Sequence, residues 1–240
     1  MSGGQSKIEW TERTWNPTVG CTKMSQGCKN CYAEGMAKRL HAMGTPGYEN
    51  GFRLTLLPNR LDEPRNRKSP TVYFVNSMSD LFHEDVPVEF IAKVWAVMMD
   101  TPRHTYQILT KRPWLMSEVL TRPDFPVLPN VWLGASVEDG RVLGRLDALR
   151  KVPAAIRFVS LEPLIGSVAD GDLTGIHWAI VGGESGPRSR EMKPEWVDEI
   201  EAMCARSGTV FFFKQWGGKN KKAAGRLLHG RTYDDMPLGI

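Results

Sequence analysis

The sequence predicts an α/β fold, a partial or near-complete (β/α) TIM-like barrel of parallel strands, on three observations. From residue 71 onward, short β-branched or aromatic runs alternate with segments of helical spacing, the pattern of strands joined by right-handed helical crossovers. The runs are nearly continuous in apolar character, which suits strands covered on both faces. Polar residues follow almost every run, and a barrel gathers its chemistry from the C-terminal ends of many strands, whereas an open sheet concentrates it at one switch point. An open doubly wound sheet satisfies the first two observations; the third selects the barrel.

Each element has its own signal. A first strand is expected near Lys7 to Thr11, before a loop at 16–35 that carries three of the four cysteines. The stretch CYAEGMAKRLHAMG after them reads as a helix. Residues 44–70, rich in Gly, Pro and Arg, form a long connection that is either functional or a solvated insertion. The strand runs follow: TVYFV (71–75), TYQIL (105–109), NVWLGA (130–135), AIRFVSL (155–161), HWAIVG (177–182) and TVFFF (209–213). Between them PVEFIAKVWAVMMD sets Phe90, Ile91, Val94, Trp95 and Met98 on one helical face, and GRVLGRLDALRKV does the same with Val142, Leu143, Leu146 and Leu149. KPEWVDEIEAMCARSG gives a further helix, stopped at Gly208. The count is about seven strands in one barrel domain over 1–218, with a tail at 219–240 that is either ordered against the barrel or frayed.

With 240 residues the chain can bury one sizeable core. No run approaches the ~20 apolar residues of a membrane span, and MSGGQSKIEW lacks the apolar centre of a signal peptide, so a cytoplasmic protein with no membrane partner is expected. Disulfides are rare in that compartment, and clustered cysteines there bind metal or do redox chemistry. Thirty-one basic against twenty-seven acidic residues permit a nucleotide or nucleic-acid partner without requiring one.

Cys21, Cys28 and Cys31 have the spacing C-x6-C-x2-C. A structural zinc would need a fourth ligand. His41 falls in the helix after the cysteines, and Cys204 sits at i+4 from Ile200 and i+8 from Trp196, where a small core residue is the simpler reading. Three thiolates without a fourth suit a [4Fe-4S] cluster that leaves one iron open. The rival is a zinc-stabilised nucleic-acid-binding protein without catalysis; a third reading keeps a cluster for structure or redox sensing alone.

The stretch "NPTVGC...GCKNCYAEG" resembles the cluster loop of radical S-adenosylmethionine (SAM) enzymes of the spore photoproduct lyase-like type, and "VYFVNSMSDLFHEDVP" resembles the strand and Ser/Thr-Asp turn that follow it there. Over nearly its full length, from "KIEWTERTWNPTVGCTK" to "FFFKQWGG", the chain is similar to a phage-associated family of uncharacterised three-cysteine proteins. It departs from the usual C-x3-C-x-aromatic-C motif: the first gap is six residues, Asn30 stands where the aromatic is expected, and Tyr32 follows the last cysteine.

The resemblance implies a [4Fe-4S] cluster on Cys21, Cys28 and Cys31, SAM chelated at the open iron, an external electron donor, and cleavage of SAM to a 5'-deoxyadenosyl radical, with a nucleobase or nucleic acid as substrate. It also implies cofactor contacts at the strand ends: Asn76, Ser77 and Asp80; Lys111 or Arg112 for the methionine carboxylate; Ser136 and Glu138 for the ribose; and Glu162, whose apolar flanks demand a partner or a purpose. Read without the resemblance, Ser77, Ser79 and Asp80 equally suit a turn or helix cap, and Glu138 a helix dipole.

"VGGESGPRSR" resembles the Gly-Gly-Glu motif of radical SAM enzymes, but follows the sixth strand rather than the second, so that role is not carried over. Its Gly183, Glu184, Arg188 and Arg190 make either a plain turn or a phosphate site, to which Lys214 in FFFKQWGGKNKK would add charge. His83, His104, His177 and His229 show no ligand spacing.

Overall fold

The computed structural model describes Ser6 and residues 8–237. In chain order the elements are β1 (Arg13–Trp15), β2 (Thr18–Val19), α1 (Tyr32–Ala42), β3 (Thr55–Leu56), α2 (Glu63–Asn66), β4 (Val72–Val75), α3 (Val88–Asp100), β5 (Thr105–Thr110), α4 (Pro113–Leu120), β6 (Val131–Ser136), α5 (Gly144–Arg150), β7 (Ile156–Leu161), β8 (Trp178–Gly182), α6 (Pro194–Ser207), β9 (Val210–Gln215) and α7 (Lys221–Ala224). Seven strands pair in parallel in the order β1-β4-β5-β6-β7-β8-β9. A parallel sheet whose order follows the chain is wound in one direction, so right-handed crossovers put the helices on one face and the sheet curls into a half-barrel.

The two faces of the sheet carry different cores. Toward the helices, Tyr106, Ile108, Leu133, Val159 and Phe213 pack with Phe90, Val94, Leu146 and Ile200 from α3, α5 and α6. On the inner face Phe74, Trp132, Ile156, Phe158, Trp178, Ile180 and Phe212 form a separate, mostly aromatic layer. Strand register aligns its members: Phe74 lies opposite Gln107, Gln107 opposite Trp132, and Phe158 opposite Trp178. Gly134 leaves the room this layer needs, since a Cβ there would lie 2.5 Å from the Phe158 ring.

One element is displaced from its expected place. Ile8–Thr11 turns back on itself through Thr11 N–H to the Ile8 carbonyl, and the first strand starts at Arg13; Lys7 lies outside the described residues. The cause is Trp10, buried over the inner layer with its ring 4.7 Å from Phe74, a position an extended strand at 7–11 would not give it. Pairing with β4 begins once Glu12 donates its N–H to the Val72 carbonyl.

The long connection at 44–70 wraps the cysteine loop. β3 pairs antiparallel with β2, and the Trp15 indole donates to the Arg60 carbonyl at 2.8 Å. Gly20 is required where the two meet: its φ is +82° and a Cβ would lie 2.1 Å from the Arg53 carbonyl oxygen. The tail returns to β9, with Phe213 N–H donating to Tyr233 and the Trp178 indole donating to the Asp235 carbonyl at 3.0 Å. Among the described residues no helix is long and apolar enough to cross a membrane.

Candidate functional site

The inner-face row of each strand continues, by the two-residue period, into polar residues at the C-terminal rim: Phe74 leads to Asn76, Gln107 to Lys111, Gly134 to Ser136 and Glu138, Phe158 to Glu162, and Phe212 to Lys214. The cysteine loop lies against this rim. A parallel bridge joins Gly20 to Ser79, and Cys21 N–H donates to the Phe52 carbonyl. Cys28 ends a 3-10 turn over Gln26–Cys28, and Cys31 is the N-cap of α1. All three thiols are half-buried.

Three polar groupings fasten the loop. Glu138 is buried and receives Lys111 Nζ at 2.6 Å, Arg145 Nη1 at 2.9 Å and the Ser25 hydroxyl at 2.8 Å. Burial opposes its ionisation, but the Lys111 and Arg145 charges hold the carboxyl below its usual range. Gly27 is glycine because a Cβ would sit 2.4 Å from the Glu138 side chain. Glu184 likewise is held below the usual range, with burial opposed by the Arg190 and Asn30 hydrogen bonds. Asn30 donates to Glu184 at 3.0 Å and to the Arg188 carbonyl at 2.8 Å, and Arg190 donates to both Glu184 oxygens and to the Gln26 carbonyl.

The third grouping surrounds Arg112, which is 1 % exposed. It donates to Glu84 at 2.6 Å, to Asp80 at 3.2 Å, to the Thr22 hydroxyl at 2.7 Å and to the Cys21 sulfur at 3.7 Å. Asp80 also accepts from Thr110, Lys111 N–H and Phe82 N–H, so both its oxygens are engaged in holding the turn. Burial, then the Asp80 charge, pushes the Cys21 thiol up to about 11. A cleft of about 600 Å³ opens beside Cys21, lined by Phe52, Arg53, Leu54, Leu56, His83 and Asp85 among others.

The remaining expected residues are placed as follows. Asn76 is buried at φ +61°, its Oδ1 accepting from Thr18 N–H and its Nδ2 without a partner. Ser77 donates to Asn16 at 3.2 Å, and its carbonyl accepts from the Tyr32 hydroxyl. Glu162 takes both its hydrogen bonds from Lys214, at 2.7 and 2.8 Å. Gly183 is pressed against the Trp216 carbonyl, 2.0 Å from where its Cβ would be, and the Arg188 side chain is exposed. The rim therefore gathers Asn76, Ser77, Lys111, Glu138, Glu162 and Lys214, while Asp80, Arg112, Glu184 and Arg190 pack around the loop. The contributions of Ser25, Gly27, Asn30 and Arg145 were not anticipated; Asn30 in the aromatic position was the one visible hint.

Neither spare ligand approaches the three thiols. His41 Nδ1 bonds the Tyr48 carbonyl, and Cys204 is buried in α6 with its thiol pushed up to about 12 by burial. Among the described residues, the one trio of His, Cys, Asp or Glu with ligand atoms within 4.8 Å of one another is Asp198, Glu201 and His229. At least one pair of the three sulfurs is thus more than 4.8 Å apart, wider than the ~3.8 Å that a single tetrahedral zinc with ~2.3 Å bonds would impose. Thiolates on three different irons of one cluster are held farther apart, and N–H···S donors such as Arg112 to Cys21 and Met24 N–H to Cys28 (3.5 Å) are usual around such clusters. The donor set fits a cluster.

The family model described as "Protein of unknown function (DUF5131)" matches residues 5–237. The chain belongs to this family. Among curated proteins nothing matches. Among solved structures it is similar to spore photoproduct lyase complexed with dinucleoside spore photoproduct, at 15% identity and a TM-score of 0.52, over 85% of this chain and 64% of that one. A tyrosine-to-phenylalanine mutant of spore photoproduct lyase gives 12% identity and a TM-score of 0.57, over 89% and 79%. A double mutant with bound AdoMet and dinucleoside spore photoproduct gives 16% and 0.51, over 86% and 63%. The chain thus spans about two thirds of the length of the complexed lyase, and what the two share is the fold, a half-barrel of parallel strands.

Proposed function

We propose that this DUF5131 protein is a radical SAM enzyme with one [4Fe-4S] cluster on Cys21, Cys28 and Cys31, acting on a nucleobase or nucleic acid. The observation that carries the reading is a loop of three half-buried thiols on the C-terminal rim of a half-barrel like that of spore photoproduct lyase. When bound, the cluster and SAM supply a 5'-deoxyadenosyl radical, the electron coming from an external donor.

The chain's own residues hold and shield that chemistry. Asn76 Nδ2, buried with no partner, is a donor waiting for an acceptor at the rim, and Ser77 stands beside it. Lys111, partly exposed on Glu138, can turn to a carboxylate, and Ser136 and Glu138 continue the same inner row. Glu162 and Lys214 form a polar pair at the far end of the rim, suited to hydrogen-bonding substrate. Asp80 and Arg112 are not part of this set, because their bonds go to the turn and the loop. The substrate class rests on the likeness to a lyase complexed with dinucleoside spore photoproduct.

The test is anaerobic reconstitution with iron and sulfide analysis, then dithionite and SAM with 5'-deoxyadenosine as readout. About four irons per chain, and cleavage that is lost in Cys28→Ala, are the expected result. One tightly held zinc without cleavage overturns the reading in favour of a binding protein.

A further inference from the structure

Arg112 is the most deeply buried cation at the loop, and four of its five N–H donors have partners. Nε goes to Glu84 at 2.6 Å, Nη1 to Asp80 at 3.2 Å and to Cys21 Sγ at 3.7 Å, and Nη2 to Thr22 Oγ1 at 2.7 Å. The orientation of the Thr22 hydroxyl follows by elimination. His83 Nδ1 accepts from Asp85 N–H at 3.1 Å, so its Nε2 carries the proton and donates to Thr22 Oγ1 at 2.9 Å. With two donors aimed at it, the hydroxyl gives its own hydrogen to Glu84 Oε1 at 3.3 Å. The guanidinium is therefore fixed on four sides, and the hydrogen it presents to the sulfur cannot turn away without breaking a charge-assisted bond.

A donor and a positive charge at a cluster thiolate stabilise the form carrying the extra electron, so they raise the reduction potential. We propose that Arg112 is a positioning residue that sets the potential of the cluster through its N–H···S contact with Cys21, with Asp80 and Glu84 holding it in place. This rests on the cluster reading above. It assigns Arg112 to the iron-sulfur side of the site, away from the methionine carboxylate.

The experiment is a dithionite titration of reconstituted protein followed by electron paramagnetic resonance, one electron entering each cluster from dithionite. In Arg112→Gln the reduced-to-oxidised ratio at fixed solution potential should fall about tenfold, equivalent to ~59 mV for a one-electron couple. Arg112→Lys keeps the charge but cannot reach four acceptors at once, and should fall between that variant and the wild type. Glu84→Gln keeps an oxygen acceptor for Arg112 Nε but removes the half-exposed carboxylate charge that offsets the guanidinium, and should shift the potential upward. Asp85→Asn is the control: it lines the same cleft without bonding Arg112 through its side chain, and should leave the potential unchanged.

A wild-type chain that assembles no iron and sulfide overturns the cofactor reading and this inference with it. A loaded wild type whose Arg112 variants titrate like it overturns this inference alone. Where the Arg112 variants hold no cluster, Glu84→Gln decides: an upward shift absent from Asp85→Asn supports the proposal, and no shift overturns it.

Discussion

At Glu138 one carboxylate serves two cations of unequal burial. Arg145 is 5 % exposed at its side chain and Lys111 21 %. Removing one partner of a buried ion pair leaves the other charge uncompensated in a poorly polarisable surround, whereas a group at the mouth can be replaced by water. Arg145→Met should therefore cost about 3–5 kcal/mol of stability in urea unfolding of the metal-free protein. Lys111→Met should cost clearly less, because Arg145 stays on the carboxylate. Equal losses would mean that the two cations share Glu138 evenly and that the depth of Arg145 is immaterial. The contrast matters for function, since only a lysine that can leave Glu138 cheaply is free to meet a bound carboxylate.

The cysteine loop as an element is fastened by carboxylates, and this gives it a pH dependence with a definite sign. Glu138 and Glu184 have folded-state values below the ordinary 4.5, so their stabilising contribution is complete above that value and is lost as pH falls through the lowered ones. The metal-free protein should hold a constant urea midpoint from neutrality down to about pH 5, then lose stability toward pH 3. Glu184→Gln should flatten part of that acid limb; an unchanged limb would show that the Glu184 clamp contributes nothing.

How far such an element can be read from sequence depends on the range of its contacts. The C-x6-C-x2-C spacing is local, and so are the apolar runs that placed six of the seven sheet strands to within two residues at either end. Asn30 and Glu184 are 154 residues apart, and nothing at either position names the other until the half-barrel brings the β8 end over the loop. The same holds for Glu138 and Ser25. β1 failed for a different reason: KIEWT has the composition of a strand, but the demand of Trp10 for the aromatic layer outweighs its local preference.

Across the whole molecule, an open half-barrel has two sheet edges, and an uncovered parallel edge offers unpaired amides and carbonyls to other chains. At β9 the tail meets this need: Asp234 bridges Phe212, Tyr233 accepts from Phe213 N–H, and Arg231 lies 4.2 Å over the Tyr233 ring. The same segment gives the buried Trp178 indole its acceptor at Asp235 and sets Arg226 over Phe212, so it seals the inner aromatic layer as well as the edge. A chain ending at Gly225 should then expose Phe212 and leave the Trp178 N–H without a protein partner. The expected outcome is a red-shifted tryptophan emission, stronger binding of a hydrophobic dye and a lowered urea midpoint, together with concentration-dependent association through β9. A shortened chain that stays monomeric with unchanged emission would mean that β9 and the aromatic layer are closed by the sheet itself. The tail also reaches the rim end of β9, where Arg226 Nε donates to the Lys214 carbonyl at 2.9 Å and the Trp216 indole donates to the Leu227 carbonyl at 2.8 Å. Iron loading of the shortened chain therefore separates two roles for the tail, since loss of stability with retained iron binding confines it to the scaffold.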